Sequence, residues 1–245
     1  MVNIHHHRPA GAVVDADALA LFQRQWELYR KLIDGDCLAT AEAYGILHRV
    51  LAEDIGRPFR FLDLGCGDAR NTVTALQGTE VAHYHGIDLA MPALALARSR
   101  VDALPCPADL EHGDYIEAMR ERPEPADVVW IGLSLHHFAT ADKRTLMSEI
   151  RRVLSASGLF VTYEPTFRDG EDLASYIVRY EAVARRQWTA LTPEDRDAVF
   201  AHVRTADIPE TASTWATLGR EAGFSTTEEL FRDPANLFRI FRFRP

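Results

Sequence analysis

The sequence predicts an α/β protein with a mostly parallel β-sheet that carries helices on both faces. From about residue 58 onward, short apolar runs alternate with amphipathic helical segments, as in proteins built from βαβ units. Near the C-terminus, two strand-like runs are separated only by Asp233-Pro234-Ala235-Asn236. Strands joined by so short a turn pair in the antiparallel direction. Hydrophobic residues make up 47% of the 245-residue chain, which is enough for one substantial core.

Two helices are predicted before the sheet begins. The first carries apolar side chains at three- and four-residue steps, and these are Leu19, Phe22, Trp26, Tyr29 and Ile33. The second runs from about Leu38 to Glu53 and is ended by Gly56 and Pro58. We therefore expect residues 1–57 to form an N-terminal tail with a helical cover, and 58–245 to form the core domain. We interpret His5-His6-His7 as part of an untied tail, with weak metal binding as the alternative.

The core domain divides into strands, helices and an insertion. The predicted strands are Arg60–Leu64, His83–Leu89, Leu110–Gly113, Ala126–Leu133, Leu159–Glu164, Thr226–Phe231 and Leu237–Phe243. The predicted helices of the sheet are Asp68–Leu76, Pro92–Val101, one capped by Thr140, and Trp215–Ala222. Two more helices, one with the apolar face Leu173–Val183 and one starting at Thr192-Pro193, interrupt the alternation. They are predicted as an insertion at about residues 171–204.

Composition excludes several classes of protein. The formal net charge of -9 argues against a protein that binds nucleic acid through non-specific electrostatic attraction. No apolar run is long enough to span a membrane, and the N-terminus lacks the apolar core of a signal peptide, so we expect a cytoplasmic protein. Cys37, Cys66 and Cys106 are widely spaced, which fits reduced thiols rather than a disulfide framework. No metal site is predicted from residue spacing.

A glycine-containing turn follows the first predicted strand. Gly65 and Gly67 let backbone N–H groups approach a ligand closely, because glycine has no Cβ. The turn is not a dinucleotide fingerprint, since Arg70 stands where that motif has its third glycine. Asp63 precedes the turn at the carboxyl end of the strand, where such sheets bind ligands. A carboxylate there suits a cationic amine better than a pyrophosphate.

Two more acids follow the next two strands. Asp88 ends the second strand, where an acid accepts hydrogen bonds from ribose hydroxyls. Asp114 follows the third strand and is placed to accept from an adenine amino group. With Asp63, these carboxylates converge on one rim of the predicted sheet.

Together, the glycine turn and the three acids resemble the first motifs of the class I S-adenosylmethionine-dependent methyltransferases, over roughly Phe59 to Pro165. The resemblance implies a Rossmann-like, seven-stranded, mostly parallel sheet with a terminal antiparallel strand, extended by lid helices. It also implies S-adenosyl-L-methionine as cofactor. The residues assigned to the cofactor are Asp63, Gly65, Gly67, Asp88, Leu89, Asp114, Tyr115, Leu133 and, from the N-terminal helix, Tyr29. Ala69 departs from relatives that have a third glycine at this position.

The acceptor side is predicted after the fourth strand. In the family, the segment Ile131-Gly132-Leu133-Ser134-Leu135-His136-His137-Phe138 at the end of this strand lies beneath the transferred methyl group and lines the substrate pocket. His136 and His137 are candidate bases, and the alternative is that either packs or caps the following turn. The Asn/Asp-Pro-Pro-Tyr/Phe motif of many enzymes that methylate amino groups is absent, which lowers nucleic acid and protein glutamine as substrates. The candidate substrate contacts are Tyr163, Glu164, Tyr176, Arg179 and Tyr180, unless these are core and surface residues.

The favoured hypothesis is methyl transfer to a small molecule, since helical covers suit small substrates better than polymers. The alternatives are a methyltransferase acting on RNA or protein, and a protein that binds S-adenosylmethionine or a derivative without transferring methyl. A nicotinamide oxidoreductase is disfavoured by Asp63 and Arg70. The sequence specifies neither the acceptor atom nor the oligomeric state.

Overall fold

The computed structural model describes residues 27–122 and 125–245. The strands in these ranges are β1 Phe59–Leu64, β2 Val81–Asp88, β3 Ala108–His112, β4 Ala126–Gly132, β5 Leu154–Phe167, β6 Glu210–Thr211, β7 Thr226–Arg232 and β8 Phe238–Arg244. Helix α1 occupies 27–34 of the described chain, so most of the predicted apolar face that begins at Leu19 lies outside it. The other helices are α2 Thr40–Glu53, α3 Arg70–Leu76, α4 Met91–Val101, α5 Tyr115–Glu121, α6 Thr140–Val153, α7 Leu173–Gln187, α8 Pro193–Ala206 and α9 Ala212–Glu221. A short 3₁₀-helix covers Leu135–His137.

The strands form one sheet in the order β3-β2-β1-β4-β5-β8-β7, and the two-residue β6 pairs beside β5. Strands β1 to β5 run parallel, whereas β8 is antiparallel to both of its neighbours. This confirms the predicted α/β fold with a terminal antiparallel strand. The chain order reverses between β1 and β4, and in such sheets the crevice at this point is where ligands bind.

Each face of the sheet is covered by a different set of helices. Helices α2, α3 and α4 pack on one face, where Leu47, Leu76 and Trp130 are buried. Helices α5, α6 and α9 pack on the other face around Met119 and Trp215. Both tryptophans are almost fully buried, and truncating a buried aromatic of this size costs about 3–5 kcal/mol. The site at the end of the sheet is therefore supported by a packed core on both sides.

The structure corrects several predicted boundaries. Helix α3 begins at Arg70 rather than Asp68, and β5 extends from Leu154 to Phe167 because it pairs with β4, β8 and β6. The seven-residue helix α5 was not predicted. Thr140 does not cap α6, since Ala139 precedes the helix and the Thr140 hydroxyl donates to Glu210.

Helices α7 and α8 lie between β5 and β6 in the chain, where the insertion was predicted. The cap of α8 is as expected. Thr192 Oγ1 accepts from the Asp195 amide at 3.1 Å, the Asp195 carboxylate accepts from the Thr192 amide at 3.2 Å, and Pro193 starts the helix. Both helices bury apolar side chains in the core cluster that contains Trp130. Among the described helices, none is both long and apolar enough to cross a membrane.

Candidate active site

The turn after β1 presents backbone N–H groups at the carboxyl edge of the sheet. Gly65 and Gly67 both have positive φ angles, +73° and +54°, which glycine adopts without steric cost. A Cβ at Gly67 would meet no atom within 4 Å, so the space in front of this residue is open. Ala69 also has a positive φ of 55°, and the turn thus completes its bend without the third glycine of many relatives.

Asp88 holds this turn from the neighbouring strand. Its Oδ2 accepts a hydrogen bond from the Gly67 amide at 2.7 Å, and its Oδ1 accepts one from the Ala90 amide at 2.7 Å. Burial raises the pKa of Asp88, although these two amides oppose the rise. Each carboxylate oxygen has two lone pairs, so Asp88 retains capacity to accept from hydroxyl groups of a ligand.

Asp63 lies within β1, fully buried beneath the turn. Its Oδ2 accepts from the Tyr84 hydroxyl at 3.0 Å. Burial raises the pKa of Asp63 to about 7, against hydrogen bonds from Thr72 and Tyr84 that lower it. A buried carboxylate beside the glycine turn provides negative potential where a cationic group is expected.

The remaining predicted cofactor residues surround the same corner. Burial raises the pKa of the Tyr29 phenol, and the charges of Asp68, Asp88 and Asp63 raise it further. The Tyr29 side chain, which comes from α1, therefore lies near these acids. The Tyr115 hydroxyl and Ser134 Oγ are 2.8 Å apart, and both side chains flank Gly65.

Three further positions complete this set. Leu133 ends β4 with a positive φ of 56°. Asp114 caps α5 by accepting from the Ile116 amide at 2.8 Å. The Leu89 carbonyl lies 3.0 Å from His112 Nε2 at the end of β2. The structure thus brings the predicted residues of β1, β2, β4 and α1 together, and it places Asp114 at the adjacent strand end.

A cavity of about 440 Å³ lies next to this corner. Leu133 and His136 line it from the sheet, Tyr29 lines it from α1, and His202 lines it from α8. The cavity is bridged at its rim by an ion pair between Lys31 of α1 and Asp195 of α8, with Nζ and Oδ2 2.8 Å apart. The N-terminal and inserted helices therefore meet over the carboxyl end of the sheet.

His136 lines the cavity and is held by Glu164. Its Nδ1 lies 2.6 Å from Glu164 Oε2, while its Nε2 is buried without a hydrogen-bond partner in the described part of the chain. Burial lowers the pKa of His136 well below its usual value, so the imidazole is neutral. Nδ1 then carries the proton toward Glu164 and leaves the lone pair on Nε2.

Glu164, a predicted substrate contact, does not line the cavity and is engaged by the protein itself. The carboxylate is fully buried and accepts from the amides of Ser134 at 3.1 Å, Leu135 at 2.9 Å and His136 at 3.2 Å. Burial raises the pKa of Glu164 to about 7, and these three amides oppose the rise. Glu164 therefore fixes the loop after β4 and orients His136.

Three of the other predicted substrate contacts do not line the cavity either. The Tyr163 side chain is buried on the face of the sheet opposite Glu164, and its hydroxyl donates to the Leu38 carbonyl. Tyr176 is fully buried and packs against Phe167 at a ring-centroid distance of 5.1 Å. Both residues are core.

Arg179 is likewise committed to structure. It forms an ion pair with Glu171 at 2.5 Å and donates to the Asn236 carbonyl at 2.6 Å. Of the five predicted substrate contacts, Tyr180 alone lines the cavity.

Two residues of the cavity were missed by the sequence analysis. His202 lies on α8, and Asp207 follows that helix directly. His137 Nδ1 lies 3.5 Å from Asp207 Oδ1, and His202 Nε2 lies 3.7 Å from the same oxygen. Burial lowers the pKa of His137 to about 2 and that of His202 to about 4. In the sequence, a histidine on an amphipathic helix carries no signal that separates it from a surface residue.

The comparisons with known proteins agree with this geometry. A family model described as a methyltransferase domain matches residues 61–158, the segment from β1 to the first residues of β5. This segment of the chain is thus similar to a methyltransferase domain, as the glycine turn and the three acids predicted. A search of curated proteins found no match to the sequence.

Solved structures show the same fold at low sequence identity. CalO1, a methyltransferase in calicheamicin biosynthesis solved in its SAH-bound form, has 19% identity and a TM-score of 0.59 over 94% of this chain and 58% of CalO1. The mitomycin 7-O-methyltransferase MmcR has 16% identity and a TM-score of 0.57 over 89% and 60%. The pyocyanin biosynthetic protein PhzM has 18% identity and a TM-score of 0.56 over 80% and 53%. The chain thus spans between about half and three-fifths of the length of these proteins.

Proposed function

We propose that this protein transfers a methyl group from S-adenosylmethionine to a small-molecule acceptor that binds in the cavity beside His136. The observation that carries the proposal is the position of this cavity. Tyr29 lines the cavity and lies close enough to Asp63 and Asp88 for their charges to raise its pKa, and Leu133, directly after β4, lines the cavity as well. Donor and acceptor sites of this kind must be adjacent, because methyl transfer requires the nucleophile at near-attack distance.

The size and cover of the cavity support a small acceptor. A volume of about 440 Å³ falls within the range of about 300–1,000 Å³ typical of small-molecule sites. The Lys31–Asp195 ion pair closes one side with helices, whereas a polymer requires an open face. Four carboxylates and a single lysine line the cavity, which favours neutral or cationic acceptors over anionic ones; the acids are Glu27, Glu194, Asp195 and Asp207.

The related structures support the same class of acceptor. The printed names of CalO1, MmcR and PhzM place them in the biosynthesis of natural products, and MmcR is named as an O-methyltransferase. We extend this class to the present chain as part of the proposal. A hydroxylated small molecule is the acceptor that this comparison favours.

The chain's own residues supply positioning and a proton acceptor. S-adenosylmethionine, when bound, supplies a methyl group on a sulfonium, which makes it electrophilic. Leu133 and the helical cover exclude water from the cavity, and the apolar walls align the acceptor. As the bond from acceptor oxygen to methyl carbon forms and the bond from sulfur to carbon breaks, His136 Nε2 takes the hydroxyl proton. Glu164 holds the imidazole in the tautomer that leaves this lone pair free.

The proposal is tested with a panel of hydroxylated small molecules scored by release of S-adenosylhomocysteine. With the best acceptor, His136→Gln is expected to slow turnover by about 100-fold or more, the usual contribution of a general base, while the affinity for S-adenosylmethionine is unchanged. His83→Gln is the matched control, because His83 pairs with Asp109 on the surface of β2 and β3, away from the cavity. Turnover with RNA or protein but with no small molecule would contradict the proposal. Cofactor binding without any transfer would favour the non-methylating alternative.

A further inference from the structure

Three imidazole nitrogens surround one carboxylate oxygen at the floor of the cavity. Asp207 Oδ1 lies 3.8 Å from His136 Nε2, 3.5 Å from His137 Nδ1 and 3.7 Å from His202 Nε2. These separations exceed the roughly 2.7–3.2 Å of an N–H···O hydrogen bond. Within the described ranges, Asp207 Oδ1, His136 Nε2 and His202 Nε2 are all buried without a hydrogen bond. Buried polar atoms are nearly always paired, so this arrangement indicates a ligand held between them.

We propose that His136, His137 and Asp207 bind a divalent transition-metal ion, with the fourth tetrahedral position open toward the cavity. One ligand atom from each of these residues lies within 4.8 Å of the others. His202 faces the same carboxylate oxygen from α8 and flanks the site, and His137 Nδ1 also lies 3.4 Å from the Ala206 carbonyl. A zinc ion about 2.0–2.1 Å from imidazole nitrogen and about 2.0–2.2 Å from carboxylate oxygen holds tetrahedral ligand atoms roughly 3.3–3.5 Å apart. The separations of 3.5 and 3.8 Å from Asp207 Oδ1 need to contract by a few tenths of an ångström, and the distance between the two imidazole ligand atoms, at most 4.8 Å, by roughly 1.5 Å at most.

The donor set selects the kind of metal. Imidazole nitrogens suit Zn²⁺, Fe²⁺, Co²⁺, Ni²⁺ and Cu²⁺, whereas Mg²⁺ and Ca²⁺ require mostly oxygen ligands. Glu164 and Asp207 are both buried at this site, and a dication balances two carboxylate charges. The four acids that line the cavity also attract a cation toward the site.

The surrounding contacts hold the donors in place. Glu164 accepts from His136 Nδ1 and leaves Nε2 directed at Asp207, which is the carboxylate–histidine–metal arrangement seen in many metal sites. The segment that carries Asp207 is fixed on its other side. The Ile208 amide donates to the His136 carbonyl at 2.6 Å, and Lys143 Nζ donates to the Ile208 carbonyl at 2.5 Å. A site built on such supports is pre-organised for its ion.

His136 and Asp207 line the cavity, so the fourth tetrahedral position of the ion faces the acceptor. We assign this position to the acceptor hydroxyl, which the ion would orient and acidify. Because the ion would occupy the Nε2 lone pair of His136, it would replace the imidazole as the activating group in the metal-bound protein, and the hydroxyl proton would be released to solvent. This assignment rests on the proposed function, whereas the metal site itself does not.

The site is tested by calorimetric titration with Zn²⁺ and Co²⁺, together with the visible absorption spectrum of bound Co²⁺. The parent protein carries His5→Ala, His6→Ala and His7→Ala, so that the N-terminal histidine run contributes no imidazole ligands to the titration. One equivalent of each ion is expected to bind, with a strong tetrahedral-type Co²⁺ spectrum and no comparable binding of Mg²⁺. Glu164→Gln is expected to weaken binding by about 10–100-fold, and Asp207→Asn by more than this, since it removes a direct ligand.

Two variants keep the test decisive. His137→Gln replaces another proposed ligand and keeps a hydrogen-bonding side chain, so it tests the site even if Asp207→Asn unfolds the chain. His83→Gln, in the surface pair with Asp109, must leave the affinity unchanged.

Zn²⁺ binding no tighter than Mg²⁺ binding, or Zn²⁺ affinities of the His137 and Asp207 variants equal to that of the parent protein, would overturn the metal site. Because the titration uses neither cofactor nor acceptor, tight Zn²⁺ binding without S-adenosylhomocysteine release would contradict the proposed function alone.

Discussion

Asp63 and Glu164 are both fully buried carboxylates, yet their surroundings give them different roles. Glu164 accepts from three backbone amides and His136, which commits it to shaping the loop after β4. Asp63 accepts from the Tyr84 and Thr72 side chains and faces the glycine turn that we assign to the methyl donor. Asp63 therefore belongs to the turn that we assign to the methyl donor, and Glu164 belongs to the loop after β4 that we assign to the acceptor.

Replacing Asp63 is expected to change how stability depends on pH. Its pKa is raised from 3.8 to about 7 on folding, so the folded state binds more protons than the unfolded state between these values. The ionisation of Asp63 therefore lowers the free energy of unfolding by an increasing amount as the pH rises from 3.8 to about 7. Asp63→Asn removes this penalty, and its free energy of unfolding relative to wild type is expected to rise by roughly 2–3 kcal/mol between pH 5 and pH 8.

Urea denaturation at the two pH values measures this difference. Asp109→Asn, at an exposed acid on β3, serves as the control. A constant difference between Asp63→Asn and wild type at both pH values would mean that Asp63 is already ionised in the folded protein.

Asp88→Ala is expected to weaken S-adenosylmethionine binding by at least tenfold. A hydrogen bond to a charged acceptor contributes about 1.5–3 kcal/mol, and the variant also releases the Gly67 amide. Calorimetric titration measures the dissociation constant, with Asp109→Ala as the control. Equal affinity in both variants would contradict the assignment of Asp88 to the ribose.

The spacing of the motifs predicted where the cofactor residues lie, whereas the sequence did not predict the direction in which the side chains of β5 point. Asp63, Gly67 and Asp88 stand at fixed offsets from predicted strand ends, so the sequence located them. Successive residues of a strand point to opposite faces. The boundary of β5 did not reveal that Tyr163 enters the core while Glu164 turns toward the loop.

At the scale of elements, half-buried polar contacts of Arg179 hold the insertion to the rest of the domain. Arg179 of α7 joins Glu171, which precedes that helix, to the Ala235 and Asn236 carbonyls in the turn between β7 and β8. This contact fixes the wall of the cavity that carries Tyr180.

Arg179→Ala is therefore expected to destabilise the protein by about 2 kcal/mol, because it leaves the half-buried Glu171 without its ion-pair partner and the Ala235 and Asn236 carbonyls without their donor. Arg185→Ala on the same helix removes a largely exposed ion pair with Glu181 and is expected to cost less than about 1 kcal/mol. Urea denaturation distinguishes the two. An Arg179 variant of normal stability with a raised acceptor KM would restore this residue as a substrate contact.

Elements with strong local signals were predicted well. The Thr192-Pro193 start of α8 and the short turn before β8 both have a direct physical cause in the chain. Helix α5 has only seven residues and so little periodicity that its Asp114 cap was its main signal. The extension of β5 depends on pairing with β6 and β8, which are far away in sequence.

For the whole molecule, the sheet order follows from the alternation of strands and helices, which is visible in the sequence, and from the rules for connecting parallel strands. The cavity does not, because α1, α7, α8 and the end of β4 meet only in the folded chain. His202 and Asp207 belong to this tertiary level, which explains why they carried no local signal.

S-adenosylmethionine is expected to stabilise the folded molecule as a unit. At a ligand concentration about 100 times the dissociation constant, the free energy of unfolding is expected to rise by about 2.7 kcal/mol, provided that the unfolded chain does not bind. Thermal unfolding with and without ligand measures the shift, and NAD is the control. Equal stabilisation by NAD would indicate a general nucleotide site instead.

The insertion of α7 and α8 as one continuous stretch between β5 and β6 has a consequence for how such proteins diversify. The residues that we assign to S-adenosylmethionine lie mainly on β1, β2 and the turns that follow them. Residues 173–206 can be exchanged without interrupting any of these segments. A chimera with this stretch from another domain of the same fold is expected to show the acceptor preference of that domain and unchanged dependence on S-adenosylmethionine. Substrate range and cofactor use are thus free to evolve at separate rates within one chain.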